Sequence, residues 1–509
     1  MASKNIFKVG LVLALLVAMG KLLAFAKDIC ISYYFGISYQ TDAYFVANFI
    51  SSLIFSAFYA TISLVFLPLY NEKMHLSGNE GAHRFASIVI NLYFLISCVL
   101  LATSIYFAPL LVTSIAHGLN QKTTDLAVQL VRILSFSYLF SAVIGIITSI
   151  QYANKNYYAA QALPIINNLI VVVVMVLFAS QLAIYAVAIG AVAGWAIQFL
   201  LQVFMVKGIF SYTWGVDLKD EYIQKLSWLC VPAFIGLTVE QLNGMVATML
   251  VSSLDAGSVS VLNYAMRMSS LASSVLVMVV ATLMYPIYSD YVVKKNFYFL
   301  GVSVGKTIRI IGLLAVPLTL ISVVFTKEIT AAIFMRGAFD MAAVLATAKI
   351  YFYFGLGIIF VGLKEVLNRV FYAMNDVRTP LVTGGVVVII NVLLSLYLIR
   401  LFGAAGLALA TSIATFLGLC LQLYILKIRL GRRFYKGMSR FTLKLAIAAG
   451  GMYTVFFIFN SFMRFSMNYL YIIFCLIFMV AAYGFILYFS GVREVSLLKS
   501  KFSKFGYKF

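Results

Sequence analysis

The feature that most constrains this sequence is a succession of long, uninterrupted apolar runs. They fall at about 6–35, 43–70, 86–111, 127–150, 158–180, 182–206, 227–251, 258–288, 304–325, 345–372, 380–400, 404–426, 441–461 and 468–490. Each is long enough, or nearly so, to carry a helix across a hydrocarbon core, which takes about 20 residues. None shows the two-residue alternation of a membrane barrel strand. In lipid every backbone N–H and C=O must be satisfied within the protein, so continuous runs of this length specify helices. The expected fold is therefore all-α and polytopic, with 14 transmembrane helices. Composition excludes a soluble alternative. Of 509 residues, 63% are hydrophobic and only 10% charged, against about 25% charged in an ordinary soluble domain.

The distribution of cations gives the direction of insertion. With the N-terminus inside, 25 of the 37 Lys and Arg fall on inside segments, five on outside segments (Lys122, Lys327, Arg336, Arg400 and Arg464) and seven within runs. Basic residues are retained on the cytoplasmic side, so a bias of this size supports both the count and the orientation, with both termini cytoplasmic. The same bias explains the net charge of +21 without nucleic acid. Lys4 and Lys8 followed by an apolar run and Ala24-Phe25-Ala26 imitate a secretory signal. The run continues past that point to Phe35, so an uncleaved first span is expected.

An internal repeat divides the chain. Ala47, Ser51, Ser52, Leu53, Pro68 and Tyr70 recur at one constant offset as Ala265, Ser269, Ser270, Leu271, Pro286 and Tyr288. Tyr152-Ala153 and Leu201-Gln202 recur as Tyr372-Ala373 and Leu421-Gln422, at an offset only two positions longer. Six runs per copy is an even number, so both copies point the same way, as in parallel-repeat transporters with a site between two lobes. The expected organisation is an N-lobe over 1–206, a cytoplasmic linker at 207–226 and a C-lobe over 227–426. A basic loop at 427–440, two further helices in 441–490 and a basic tail at 491–509 follow.

Charges inside the runs are the functional signal. Lys21, Lys27, Arg132, Arg267, Lys349, Lys364 and Arg369 face only Asp28, Glu240 and Glu365 as internal acids. A cation at the bilayer centre costs about 2.5–3.5 kcal/mol on insertion scales, so such groups pair, snorkel or line a wet cavity. Glu365 and Arg369 stand four apart and suit an ion pair; Arg132 and Lys349 lie close enough to run ends to snorkel. Lys21 and Arg267 lie deeper, with no acid at helical spacing. An excess of buried cations points to a basic cavity and an anionic substrate. Glu240, beside Gln241 and Asn243, could hold a cation or proton or join neighbouring helices. Cys30, Cys98, Cys230, Cys420 and Cys475 are scattered, with no metal or disulfide spacing, and no phosphate-binding glycine loop is present to use ATP. The outer acids Asp42, Asp125, Asp255, Glu328 and Asp340 are isolated, so no enzyme is expected. A cation exporter of the multidrug type would want acids, not bases, in its cavity.

Several segments together resemble the MurJ/MviN family of lipid II flippases in the MOP exporter superfamily. They are Gly20-Lys-Leu-Leu-Ala-Phe-Ala-Lys-Asp28; Thr41-Asp-Ala-Tyr-Phe-Val-Ala47 with Phe66-Leu-Pro-Leu69; Asn263-Tyr-Ala-Met-Arg267; Asp376-Val-Arg-Thr-Pro380; and Gly403-Ala-Ala-Gly-Leu-Ala-Leu-Ala410. The resemblance implies movement of a polyprenyl-diphosphate-linked sugar, lipid II for peptidoglycan, across the bacterial inner membrane by alternating access. It implies a monomer, with no cofactor and no nucleic acid. It assigns Lys21, Lys27, Asp28, Asp42 and Arg267 to a cavity that takes the diphosphate, and Glu240, Asn391, Ser395 and Thr411 to the neighbourhood of a coupling ion. Na+, H+ or the membrane potential could supply the drive. The chain departs from the family where Lys21 and Lys27 replace arginines and where Phe55 stands at a basic position, which keeps another lipid-linked glycan open as the cargo.

Overall fold

A computed structural model describes residues 2–279, 284–431, 435, 437–462 and 469–492. In chain order its helices are α1 (Ala2–Phe35), α2 (Tyr39–Ile115), α3 (Gln121–Leu134), α4 (Ser137–Ala153), α5 (Tyr157–Leu182), α6 (Tyr185–Val206), α7 (Glu221–Ser252) and α8 (Ser258–Val279). They continue as α9 (Tyr285–Val293), α10 (Phe297–Val324), α11 (Thr326–Phe334), α12 (Met341–Ala373), α13 (Arg378–Phe402), α14 (Ala404–Leu430), α15 (Met438–Phe462) and α16 (Tyr469–Phe489). Among the described residues the fold is all-helical, and the apolar runs, where described, fall on these helices. Nine helical stretches among those residues are long and apolar enough to cross a membrane, ten when α3 and α4, bent by 40°, form one span.

The second and third runs share α2, and its internal packing shows why one helix carries both. Phe66 and Phe85 stack with ring centroids 5.5 Å apart, whereas a straight helix would separate them by about 28 Å. The helix folds back at Gly78, whose φ of 68° and ψ of −173° suit a residue without a Cβ. Helix formers at Glu72, Lys73, Met74 and Glu80 keep the polar stretch on either side helical. At its start, Ser38 and Thr41 form a reciprocal capping box, worth about 1 kcal/mol.

Contacts divide the chain into two units, Met1–Tyr264 with Phe334–Ala343, and Ala265–Ile333 with Val344–Phe509. In the first, α2 packs against α3, α4 and α7, and α5 packs against α1 and α6. Its core holds Phe66, Tyr70, Phe85, Tyr93 and Ile146. The break falls at Tyr264 rather than ahead of α7 because α7 lies along α2. In the second unit α13 packs on α14, and α15 on α16 and α10. One core gathers Tyr288, Leu367, Phe371 and Leu426; another seats Phe441, Met452, Cys475 and Met479 beside Phe325. Leu177, Phe204, Ile389 and Phe485 are among many large apolar side chains on the surface, the pattern that a lipid surround permits.

The repeat is visible in local geometry. In the first copy Lys155 has a φ of 60°, and its N–H and that of Asn156 return to Tyr152 and Gln151. In the second, Asn375 has a φ of 57°, and its N–H and that of Asp376 return to Tyr372 and Phe371, the equivalent positions of the repeat. Ala183 (φ 47°, ψ −137°) and Gly403 (φ 60°, ψ −141°) close α5 and α13 with the same backbone shape. Gln202 donates to Thr148 at 2.9 Å, and Gln422 to Asn368 at 2.9 Å, the same pair shifted by the same offset. A duplicated chain explains these coincidences; convergent packing of apolar helices does not.

Candidate functional site

The α1 charges come from a helix that is otherwise apolar. Lys21 and Asp28 are two helical turns apart, so they share a face about 10 Å apart along the axis, while Lys27 points off that face. Lys21 is exposed, Lys27 half-buried and Asp28 4% exposed. Lys21 makes no ion pair among the described residues. A cation on an apolar helix without a neutralising carboxylate is costly in lipid and suited to a hydrated, anion-accepting wall.

Asp42 sits elsewhere in the same unit, in the first turn of α2. It is 2% exposed. Its carboxylate accepts from the backbone N–H of Gly257 (2.5 Å) and of Ser260 (2.8 Å) and from the Ser260 hydroxyl (2.5 Å). Ser260 Oγ also lies 2.8 Å from Thr41 Oγ1. The carboxylate thus satisfies one open N–H in the first turn of α8 and one just ahead of it, and complements the positive end of that helix. The resemblance places Asp42 on the cavity wall; in the structure its oxygens are engaged by α8. Tyr264, one helical turn on, donates to the Gly36 carbonyl at 3.3 Å and packs against Phe45, Phe334 and Phe339. These rings make the end of the unit dry.

Arg267 lies on α8 in the second unit and is half-buried. The other intramembrane charges divide as their spacing suggests. Arg369 Nη2 meets Glu365 Oε1 at 2.8 Å. Arg132 is exposed and its Nε donates to the Ile105 carbonyl at 3.3 Å; Lys349 is exposed and Lys364 half-buried. The Phe55 side chain lies outside the described residues.

Asn391 and Ser395 on α13 lie beside Thr411 on α14. Ser395 Oγ and Thr411 Oγ1 each lie 3.5 Å from Asn391 Oδ1, a small set of neutral oxygens of the kind hard cations take. The Glu240 side chain lies outside the described residues. No group of three or more His, Cys, Asp or Glu side chains suited to a metal occurs among the described residues.

Two polar clasps escape a reading of the sequence. Asp376 accepts from the Thr379 N–H (3.0 Å) and hydroxyl (2.5 Å) and pairs with Arg429 Nη1 at 2.6 Å. Burial pushes this carboxyl up, but the Thr379 bonds and the Arg429 charge outweigh it and hold its pKa below the usual value. In the first unit Lys225 reaches Glu72 at 2.9 Å, and Tyr222 donates to Glu72 at 3.2 Å. The hydrogen bond to Glu72 raises the Lys225 pKa, more than burial lowers it. Thr379 is three residues from Asp376, but Arg429, Lys225 and Tyr222 each lie far beyond any helical spacing from the carboxylate they meet.

Comparison with known proteins finds relatives over most of the chain. The family described as "Lipid II flippase MurJ" covers residues 31–479. The lipid II flippase MurJ of Burkholderia cenocepacia is 26% identical over 460 residues, 87% of this chain and 88% of that protein. A solved structure of lipid II flippase MurJ in an inward closed conformation superposes with a TM-score of 0.80 at 25% identity, covering 94% of this chain and 98% of the other. A multidrug resistance MATE transporter of the MOP superfamily, facing inward, superposes at 0.69 with 12% identity over 83% and 98% of the two chains. That likeness is one of fold alone. The all-helical fold, the duplicated halves and a family match spanning most of the sequence agree, and the chain belongs to the lipid II flippase MurJ family.

Proposed function

We propose that this protein moves lipid II, a polyprenyl-diphosphate-linked sugar, from the inner to the outer leaflet of a bacterial cytoplasmic membrane by alternating access. The observation that carries this reading is the family match over residues 31–479. The α1 charges and Arg267 supply its chemistry. A diphosphate bears about two negative charges, and ammonium and guanidinium groups replace the water it loses on entering the protein. The polyprenyl tail stays in the bilayer, so only the head group needs a polar route. Lys21, Lys27 and Arg267 take the diphosphate in this reading. Asp28 orients the cations, and Asp42 holds α8 at the outer end. The lipid crosses chemically unchanged, so no catalytic group is required, and one copy of the chain suffices.

Drive comes from the membrane potential, worth about 2.3 kcal/mol per charge per 100 mV, or from a cation at Asn391, Ser395 and Thr411. The test is the double variant Lys21→Ala with Arg267→Ala in cells that depend on this gene. Loss of peptidoglycan precursor at the outer surface, at unchanged protein level, is expected. Undiminished precursor would remove both side chains from the mechanism. Leaflet exchange of lipid II in vesicles containing the purified chain tests transport itself.

A further inference from the structure

Between α6 and α7 the chain runs without helix from Phe210 to Asp217. His83, Ser87 and Asn91 follow one another at intervals of four on α2, which aligns them on one face, and this ladder fixes the strand-like segment. The Ser211 N–H donates to His83 Nδ1 (3.3 Å), the Thr213 N–H to Ser87 Oγ (3.0 Å), Asn91 Nδ2 to the Gly215 carbonyl (2.8 Å) and the Tyr212 hydroxyl to Asn91 Oδ1 (2.5 Å). Beside the segment lies a cleft of about 460 Å³. Its walls are Ile90, Phe94, Val143, Ile147, Phe199 and Val203 from α2, α4 and α6. Lys207, Tyr212 and Trp214 also line it. Tyr212 is 49% and Trp214 85% exposed, and Lys207 is exposed and makes no ion pair among the described residues.

We infer that this cleft binds one acyl chain of an anionic phospholipid, with the lipid phosphate on Lys207. An apolar cleft left to water forfeits the burial of its walls; a hydrocarbon chain recovers it. The volume lies toward the lower end of ligand pockets, and the walls are apolar, which suits a chain and not a sugar-bearing head group. Tyr and Trp are the residues that settle at headgroup level. An exposed ammonium beside them complements a phosphate, and the surrounding segment belongs to the cation-rich side of the sequence. The pinned segment keeps the cleft open, because its polar groups are already engaged by the ladder. This site is separate from the transport reading and fills whichever lipid crosses.

The test uses the full chain with Trp195→Phe and Trp228→Phe, leaving Trp214 as the only tryptophan, reconstituted in phosphatidylcholine vesicles. Brominated phosphatidylglycerol is expected to quench Trp214 more strongly than brominated phosphatidylcholine at the same mole fraction. Lys207→Ala is expected to weaken the phosphatidylglycerol preference about fivefold, and Val203→Phe, which fills the cleft, to reduce quenching by both lipids. Equal quenching by the two lipids, or an unchanged preference in Lys207→Ala, overturns the inference. So does displacement of brominated phosphatidylglycerol by polyprenyl phosphate but not by unlabelled phosphatidylglycerol. Lipid II exchange by the same vesicles is read separately, so loss of one does not imply loss of the other.

Discussion

Replacing Asp42 by Asn leaves the shape of the side chain intact and turns one of its two acceptor oxygens into a donor. In the structure those oxygens receive two backbone N–H groups and the Ser260 hydroxyl. An NH2 group aimed at either N–H loses that bond and leaves a buried donor unsatisfied. A hydrogen bond to a charged group contributes about 1.5–3 kcal/mol, and a carboxylate at a helix N-terminus about 0.3–1 kcal/mol more, up to about 2 where buried. Because these terms overlap, the expected cost is about 2–4 kcal/mol, concentrated where α8 begins. Hydrogen exchange followed by mass spectrometry on the purified chain reads this directly. Peptides covering residues 257–264 should exchange roughly 30- to 1000-fold faster in Asp42→Asn, while peptides from α5 and α6 stay as in the parent. Ser260→Ala, which removes only the hydroxyl, should cost about 1 kcal/mol. Unchanged exchange at 257–264 in Asp42→Asn would refute the assignment of this carboxylate as the cap of α8.

Three further outcomes follow from local geometry. Ala183 holds a backbone shape that Gly adopts at the equivalent Gly403, so Ala183→Gly should stabilise the chain by about 1 kcal/mol and Gly403→Ala destabilise it by about 1–3 kcal/mol in thermal unfolding. The Asp376 carboxyl has a folded pKa below its usual 3.8. Its stabilisation is therefore complete above that value and is lost as pH falls through the lower folded one. Asp376→Asn should then cost about 1 kcal/mol near neutral pH, the Arg429 partner being 41% exposed, and the gap from the parent should narrow below about pH 4. A gap that widens on acidification would contradict the sign.

The helices were legible because in lipid a continuous apolar run has one stable backbone form. The duplication was legible at Tyr70 and Tyr288 and at Gln202 and Gln422, which are all fully buried and so are tied to their packing. The hairpin within α2 was not. Asn71 to Arg84 reads as a polar loop, yet it is helical on both sides of Gly78, since polar helix formers outside the bilayer cost nothing. The bend between α3 and α4 carries no proline or glycine to announce it. Among the charges inside the apolar runs, the Glu365 and Arg369 pair was readable because its spacing is four. The role of Asp42 was not, because its partners are backbone N–H groups of Gly257 and Ser260, in the other half of the sequence, and a backbone donor has no residue type to recognise. The ladder of His83, Ser87 and Asn91 has the right helical spacing, but each of the three is an ordinary polar residue until the segment it holds is known.

The central claim is that cations set among apolar helices hold a diphosphate. Its most direct measurement is the affinity of the purified chain for lipid II, compared between the parent and the variant carrying Lys21→Ala and Arg267→Ala. Charge-assisted contacts contribute about 1.5–3 kcal/mol each, so the double variant should bind at least about tenfold more weakly, with the deficit shrinking as salt rises. Equal affinity in parent and variant at low salt would contradict the account.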